Sequence, residues 1–176
     1  MNLEHLSMSL ALLGGVTLSS SCVSTKACTE VGCSDQFSAT IETTSASLPP
    51  GAHRLDVTAD GTTLSCTFSV PVEPIPSEGL PSPDCPLGLT LFVGPAVTCT
   101  TVDNGTAKSQ SCDPVPDRIK ESLRITRSPT HLTVTQWAGD TMIFEQTAIP
   151  TYQTSQPNGP GCEPICRQAS ASWSIP

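Results

Sequence analysis

Nine cysteines are the residues of this sequence best suited to chemistry: Cys22, Cys28, Cys33, Cys66, Cys85, Cys99, Cys112, Cys162 and Cys166. Thiols at this density either ligate metal or pair as disulfides. Structural zinc sites favour short, repeated gaps, typically CxxC. The closest pairs here are Cys28 and Cys33, with four residues between them, and Cys162 and Cys166, with three between them. Disulfides fit better, and disulfides belong to exported proteins, because a reducing cytosol keeps thiols free. The expectation is an oxidising compartment, no metal site and no cofactor.

Nine is odd, and an odd cysteine in an exported protein needs its own explanation. Residues 8–18 read MSLALLGGVTL. This apolar run is shorter than the roughly 20 residues that span a bilayer and has the length of a signal-peptide core. Ser19, Ser20 and Ser21 then lead directly into Cys22. Small residues before a cysteine resemble a bacterial lipobox, in which the cysteine sulfur takes up a diacylglycerol and becomes the first mature residue. That resemblance implies lipidation at Cys22, a signal peptide over 1–21 and a tether over 22–31. A single domain follows over 32–176. Setting Cys22 aside leaves eight cysteines for four bridges. A plain secretory signal cut further along would also leave eight. Val23 follows Cys22 where an aspartate would signal inner-membrane retention, which points to the outer membrane.

The remaining polar residues offer little catalytic machinery. His53 and His131 are the histidines beyond the leader. A nucleophilic triad needs a base within hydrogen-bond reach of a positioned serine, and no GxSxG elbow marks one. Asp103-Asn104-Gly105 lacks the alternating acidic ligands of a calcium loop and reads as a turn. Asp60 and Asp140 stand at expected hairpin tips. Trp137 and Trp173 lie in expected strands, as core fillers or as a binding platform for a sugar or peptide. The net charge of −8, with eight Lys and Arg in all, excludes nucleic acid as a partner, because phosphate neutralisation supplies most of that affinity.

The elements that must position these residues are strands. Charged residues are 14% of the chain and prolines number 17, while Thr, which suits a pleated surface, is abundant. Phe37, Ala39 and Ile41 alternate with polar neighbours, as do Leu55, Val57 and Ala59, and then Leu64, Cys66, Phe68 and Val70. Period-2 alternation marks half-buried strands. Asp60-Gly61 between two such runs predicts a tight hairpin. Residues 71–87 are too rich in proline for a regular ladder and read as a surface excursion tied down by Cys85. Leu89–Val93 and Ala96–Val102 are strand candidates separated by Gly94-Pro95. Residues 112–120 read as a proline-containing loop, with a short helical turn possible at Asp117–Ser122. Leu123–Thr126, Leu132–Trp137 and Met142–Ala148 follow, the last two joined by Ala138-Gly139-Asp140. Pro150–Pro164 reads as irregular. Gln168–Ile175 closes the chain with Ala169, Ala171, Trp173 and Ile175 on one face. About eight short strands predict an all-β, immunoglobulin-like two-sheet sandwich, with a small barrel as the alternative.

For the bridges, Cys66 is in phase with the core residues Leu64 and Phe68, and Cys99 is central in another strand. The expected pairing is Cys66 with Cys99, and Cys85 with Cys112 outside it. Cys28 and Cys33 are expected to join Cys162 and Cys166, tying the first strand to the last. Local Cys28–Cys33 and Cys162–Cys166 bridges are the alternative.

Two segments carry a family resemblance. They are Cys28-Thr-Glu-Val-Gly-Cys33 leading into Phe37-Ser-Ala-Thr-Ile41, and Tyr152 followed by Pro157-Asn-Gly-Pro-Gly-Cys162-Glu-Pro-Ile-Cys166. Together they resemble small cysteine-rich lipoproteins of unknown function that are abundant in myxobacteria. The resemblance implies an envelope location; its motifs carry no known activity and add nothing about substrate. The expected function is therefore that of a non-catalytic outer-membrane lipoprotein, held to the membrane by its lipid, with a structural role or an envelope protein or glycan as partner. A secreted inhibitor or binding protein presenting the loop 71–87 is the second expectation, and an extracellular hydrolase the third; a secreted or periplasmic location is the alternative to the outer membrane.

Overall fold

The computed structural model describes residues 28–44, 48–103 and 108–176. The leader, Cys22 and the Asn104-Gly105 turn lie outside them. Nine strands run in chain order: β1 Gln36–Thr43, β2 Gly51–Ala59, β3 Thr62–Val70, β4 Leu89–Asp103, β5 Lys108–Ile125, β6 Leu132–Ala138, β7 Thr141–Ala148, β8 Gln153–Ser155 and β9 Cys166–Ile175. One sheet has the order β4-β5-β1-β9-β8 and the other β3-β2-β6-β7. They pack face to face as a sandwich; the sheets do not close into the alternative barrel.

Alternation explains the layering. Phe37, Ala39 and Ile41 of β1 and Leu55, Val57 and Ala59 of β2 turn inward and are buried, with Leu132 and Val134 of β6 between them. Full burial of a side chain such as Leu55 contributes about 1.5–3 kcal/mol. The first and last strands run parallel in mid-sheet, with Phe37 opposite Ala169 and Thr43 opposite Ile175. Ala169, Ala171 and Trp173 pack against the core from the inner face of β9.

The hairpin at Asp60-Gly61 forms as its sequence requires, with φ of 48° and 81°, the left-handed region that a two-residue turn imposes. The Asp60 carboxylate accepts bonds from the Thr130 amide at 3.0 Å, the Thr130 hydroxyl at 2.7 Å and the His131 amide at 3.0 Å. The second hairpin, at Gly139-Asp140, also forms.

The stretch from 89 to 125 departs from expectation. Gly94-Pro95 does not end a strand: β4 continues through it to Asp103. The proline is tolerated because β4 is an edge strand, where a missing amide donor need not break a ladder. Residues 112–120 are neither a free loop nor a helical turn but part of β5. Pro95 stands opposite Ile119 and Val97 opposite Pro114, so residues 115–118 form a bulge facing the single Ala96. The prolines of this segment are absorbed by that bulge, whose bend sends both strands on beyond the sandwich. Val97–Asp103 and Lys108–Pro114 then pair as an exposed two-stranded arm about 20 Å long at the usual rise per residue.

Four disulfides fasten the domain. Cys28–Cys162 joins the lead to the run before β9 and Cys33–Cys166 joins it to the first residue of β9, so the two outer cysteine pairs meet as expected. The inner pairing differs: the bridges are Cys66–Cys85 and Cys99–Cys112, not Cys66–Cys99 and Cys85–Cys112. Cys66 belongs to β3 of the four-stranded sheet, whereas Cys99 lies out on the arm, in direct register with Cys112. The proline-rich excursion returns to β3, where Thr67 and Asp84 exchange backbone bonds at 2.9 Å, and this delivers Cys85 to Cys66. On its way it donates from the Leu80 amide to the Val93 carbonyl at 2.8 Å. The excursion is therefore a strap linking the edge strand of one sheet to the edge strand of the other.

Residues 28–31, expected as tether, are also held. Asn158 is buried; its Oδ1 accepts from the Thr29 hydroxyl at 2.6 Å and the Val31 amide at 2.9 Å. Its Nδ2 donates to the Val31 carbonyl at 3.1 Å and the Glu163 carbonyl at 2.6 Å.

Candidate functional site

The two ends of the sandwich differ in kind. At one end sit the start of β1 and the Cys33–Cys166 bridge, together with Asp35, which accepts from Ser128 at 3.0 Å and the Arg167 amide at 2.7 Å. Those two bonds hold the Asp35 carboxyl below its usual pKa, the Arg167 amide chiefly. This end receives the chain from the amino terminus. At the opposite end β1 and β9 finish, the bulge of β5 sits, and the arm emerges. The arm therefore emerges at the end of the sandwich opposite the start of β1.

A groove of about 290 Å³, lined by proline and aliphatic side chains together with Glu73, Asp117 and Arg118, opens at the base of the arm. Its walls come from the strap, the bulge and the segment before β2, with Leu48, Pro50, Pro71, Ile75, Pro95 and Pro116 among the lining residues. Proline keeps these walls stiff, because its ring fixes φ. Arg118 closes one side, donating from Nε to the Thr43 carbonyl at 3.0 Å and pairing with Glu42 at 3.5 Å. Asp117, at φ 59°, makes the turn of the bulge.

The arm above it presents Val97 and Val102, 46% and 45% exposed, among Thr and Ser. Over Val97–Val102 and Ser109–Pro114 the two strands pair with each other alone among the described strands, so each leaves a free backbone edge. A free edge is a template for a further strand. An isolated two-stranded ribbon is marginal in water, and the Cys99–Cys112 bridge spans this one in mid-length.

The other expected site residues lie elsewhere. His53 is 3% exposed, its Nε2 is 2.7 Å from the Pro49 carbonyl, and its ring stacks on Phe68 at 5.2 Å. His131 lies beyond the far end of the same strand pair, since His53 is opposite Ala138 and Ala59 opposite Leu132. Six residues of strand, about 20 Å, separate the two histidines, so they cannot share a site. Trp173 fills core space against Phe37 and Phe144, at 6.3 and 6.2 Å. Trp137 lies on the outer face of the four-stranded sheet. Its Nε1 donates to Asp56 at 3.1 Å, and the Arg54 guanidinium sits 5.2 Å over its ring. Asp56 also accepts from Arg54 at 3.0 Å and Ser65 at 2.7 Å. The indole is thus engaged at its N–H and on one face, which makes it a cross-strand brace.

Sequence reasoning missed two buried polar residues. Glu121 and Gln136 are 1% and 0% exposed. The available signal was phase: Glu121 alternates with Ile119, Leu123 and Ile125, and Gln136 with Leu132 and Val134, all of them core positions.

Four disulfides belong to an oxidising, extracytoplasmic environment. Compared with known protein families, curated proteins and solved structures, the chain matches none.

Proposed function

We propose that the protein is a non-catalytic lipoprotein of the cell envelope, anchored in the outer membrane through Cys22, that binds an extended apolar segment of a protein partner at its far end. The observation that carries this reading is the placement of the groove and the stapled arm opposite the end where the amino-terminal chain enters. A domain tethered at one end presents its other end outward. The groove offers apolar walls, and the arm offers free backbone edges that a strand from a partner can extend.

Lipid is the anchor in this reading because the acidic chain supplies no attraction to anionic headgroups. Two or more acyl chains hold stably, since each buried methylene contributes roughly 0.8 kcal/mol and one chain alone binds reversibly. The secreted alternative uses the same surface, because the strap residues 71–75 line the groove and leave Val72 fully open.

The experiment has two arms, both in the native host. Clickable fatty acid should label wild type and not Cys22→Ser; equal labelling, or none, defeats the anchor and favours secretion. A photo-crosslinking residue at Val97 should capture an envelope protein that one at Thr147, on the outer sheet face, does not. Equal capture from both positions, or from neither, defeats the assigned binding end.

A further inference from the structure

We propose that Glu121 and Gln136 form a proton-dependent latch between the two sheets, closed while the Glu121 carboxyl is neutral. Glu121 projects from β5 of one sheet and Gln136 from β6 of the other. Gln136 Nε2 donates to Glu121 Oε1 at 2.7 Å. Among the described residues this is the one hydrogen bond between two buried side chains. The partner atoms of the same two groups, Glu121 Oε2 and Gln136 Oε1, are buried without a hydrogen bond.

Two buried acceptors in one pair are costly, because each has left water and gained nothing. A proton on Oε2 changes that. The acid then donates where the carboxylate could only accept, and the amide oxygen of Gln136 is the acceptor that lacks a donor. One proton satisfies both atoms. Loss of that proton to solvent leaves a charge between apolar layers, held by the one Gln136 bond.

The surroundings offer no competing charge. Glu121 lies between Val93 and Ile41 in its sheet. Among the described strands, β1, β3, β4, β6, β7 and β9 turn no other ionisable side chain to the core. β2 contributes His53, which is occupied by the Pro49 carbonyl. Glu42, Arg118 and Lys120 are partly exposed and pair with one another, with contacts of 3.5 and 3.7 Å. Arg54, Asp56 and Glu145 lie on the outer face of the other sheet, and Arg127 lies at the far end of β5. Burial accordingly raises the Glu121 pKa to about 7, partly offset by the Gln136 bond. The latch also sits directly beneath the binding end: Val93, its register partner, precedes Gly94-Pro95, and Ile119 begins the closed part of the ladder.

The sign follows from linkage. The folded value lies above the unfolded one of 4.5, so the stabilisation is complete below about pH 4.5 and is lost as pH rises to about 7. Within that window the unfolding equilibrium constant of wild type rises up to tenfold per pH unit, and it levels above. Glu121→Gln keeps the size of the side chain and cannot ionise. Urea unfolding of both proteins from pH 4 to 9 should show this extra slope in wild type only; His53 and His131 are common to both and cancel in the comparison. Infrared spectra of wild type at pH 5.5 should contain the carbonyl stretch of a buried carboxylic acid, absent at pH 9. If Glu121→Gln does not fold, the infrared band decides alone. Parallel pH profiles for the two proteins, or no acid band at pH 5.5, would overturn the latch.

Discussion

Cys99 and Cys112 stand directly opposite each other across the projecting arm, their Cα atoms 4.0 Å apart. Nothing of the hydrophobic core lies beneath them, so the bridge fixes a ribbon that packing does not. The double substitution Cys99→Ser with Cys112→Ser should leave the sandwich folded and its melting temperature within a few degrees of wild type. It should expose residues 97–114 to cleavage. Limited proteolysis followed by mass spectrometry reads the outcome; resistance equal to wild type would mean that the ribbon holds itself.

The Asp60-Gly61 turn makes two separable demands. Gly61 has φ 81° and open space around a would-be Cβ, so the cost of Gly61→Val is in the backbone alone. It should be about 1–2 kcal/mol, seen as a lower urea midpoint. Asp60 contributes through its three accepted bonds, foremost that from the Thr130 hydroxyl, which hold its carboxyl below the ordinary aspartate value of 3.8. Stabilisation from a lowered pKa is present above that value and fades as pH falls through the folded one. Asp60→Asn should therefore flatten the acid limb of the stability profile below pH 4 and leave the profile between pH 7 and 9 parallel to wild type.

Two glycines flank the same phenylalanine with different consequences. A Cβ on Gly79 would come within 2.7 Å of the Phe92 ring and 2.8 Å of the Val93 carbonyl oxygen, at φ 88°. The carbonyl is backbone and already accepts the Leu80 amide, so it cannot give way without lifting the strap. A Cβ on Gly94 meets the half-exposed Phe92 side chain at 2.8 Å and backbone only at the Gly79 Cα, 3.4 Å away. Gly79→Ala should cost about 2–3 kcal/mol and Gly94→Ala at most about 1 kcal/mol. Thermal melts of the pair should show that order; a reversed order would mean that the strap is not seated on Val93.

What the sequence revealed follows the reach of its signals. Alternation located β1, β2, β3 and β9 because each has one face in the core, and Asp-Gly located the first hairpin because few dipeptides accept its angles. The outer cysteine pairs were legible because they bracket the first and last strands. Of the arm only the first strand, Ala96–Val102, was legible: in the second, Ser, Gln and Cys follow one another without an apolar face, since the ribbon has no core to face. Cys66 and Cys99 were matched on strand phase alone, which does not say to which sheet a strand belongs. The groove depends on where strap, bulge and β1–β2 connection meet, and no local pattern encodes that meeting. Glu121 and Gln136 share the phase of core positions, but phase alone does not say that a polar side chain is buried there.

The amino-terminal lead gives the last prediction. Asn158 engages Thr29, Val31 and Glu163 through both atoms of its amide, between the bridges at Cys28–Cys162 and Cys33–Cys166. The bridges limit how far the lead can move, whereas the amide sets its place. Asn158→Ala removes four bonds at once, including both that clamp the Val31 backbone. Net worth per bond is about 0.5–1.5 kcal/mol, but the peptide groups of the lead are accessible to water and recover part of it. The expected global loss is about 1–3 kcal/mol. The local effect should be larger: the Val31 amide should lose its protection from hydrogen exchange while amides in mid-β1, such as that of Ala39, keep theirs. Asn158→Asp tests the geometry further, since a carboxylate can replace the accepting Oδ1 but not the donating Nδ2. It should retain part of the protection at Val31. Full protection in the alanine variant would mean that the two bridges alone place the lead.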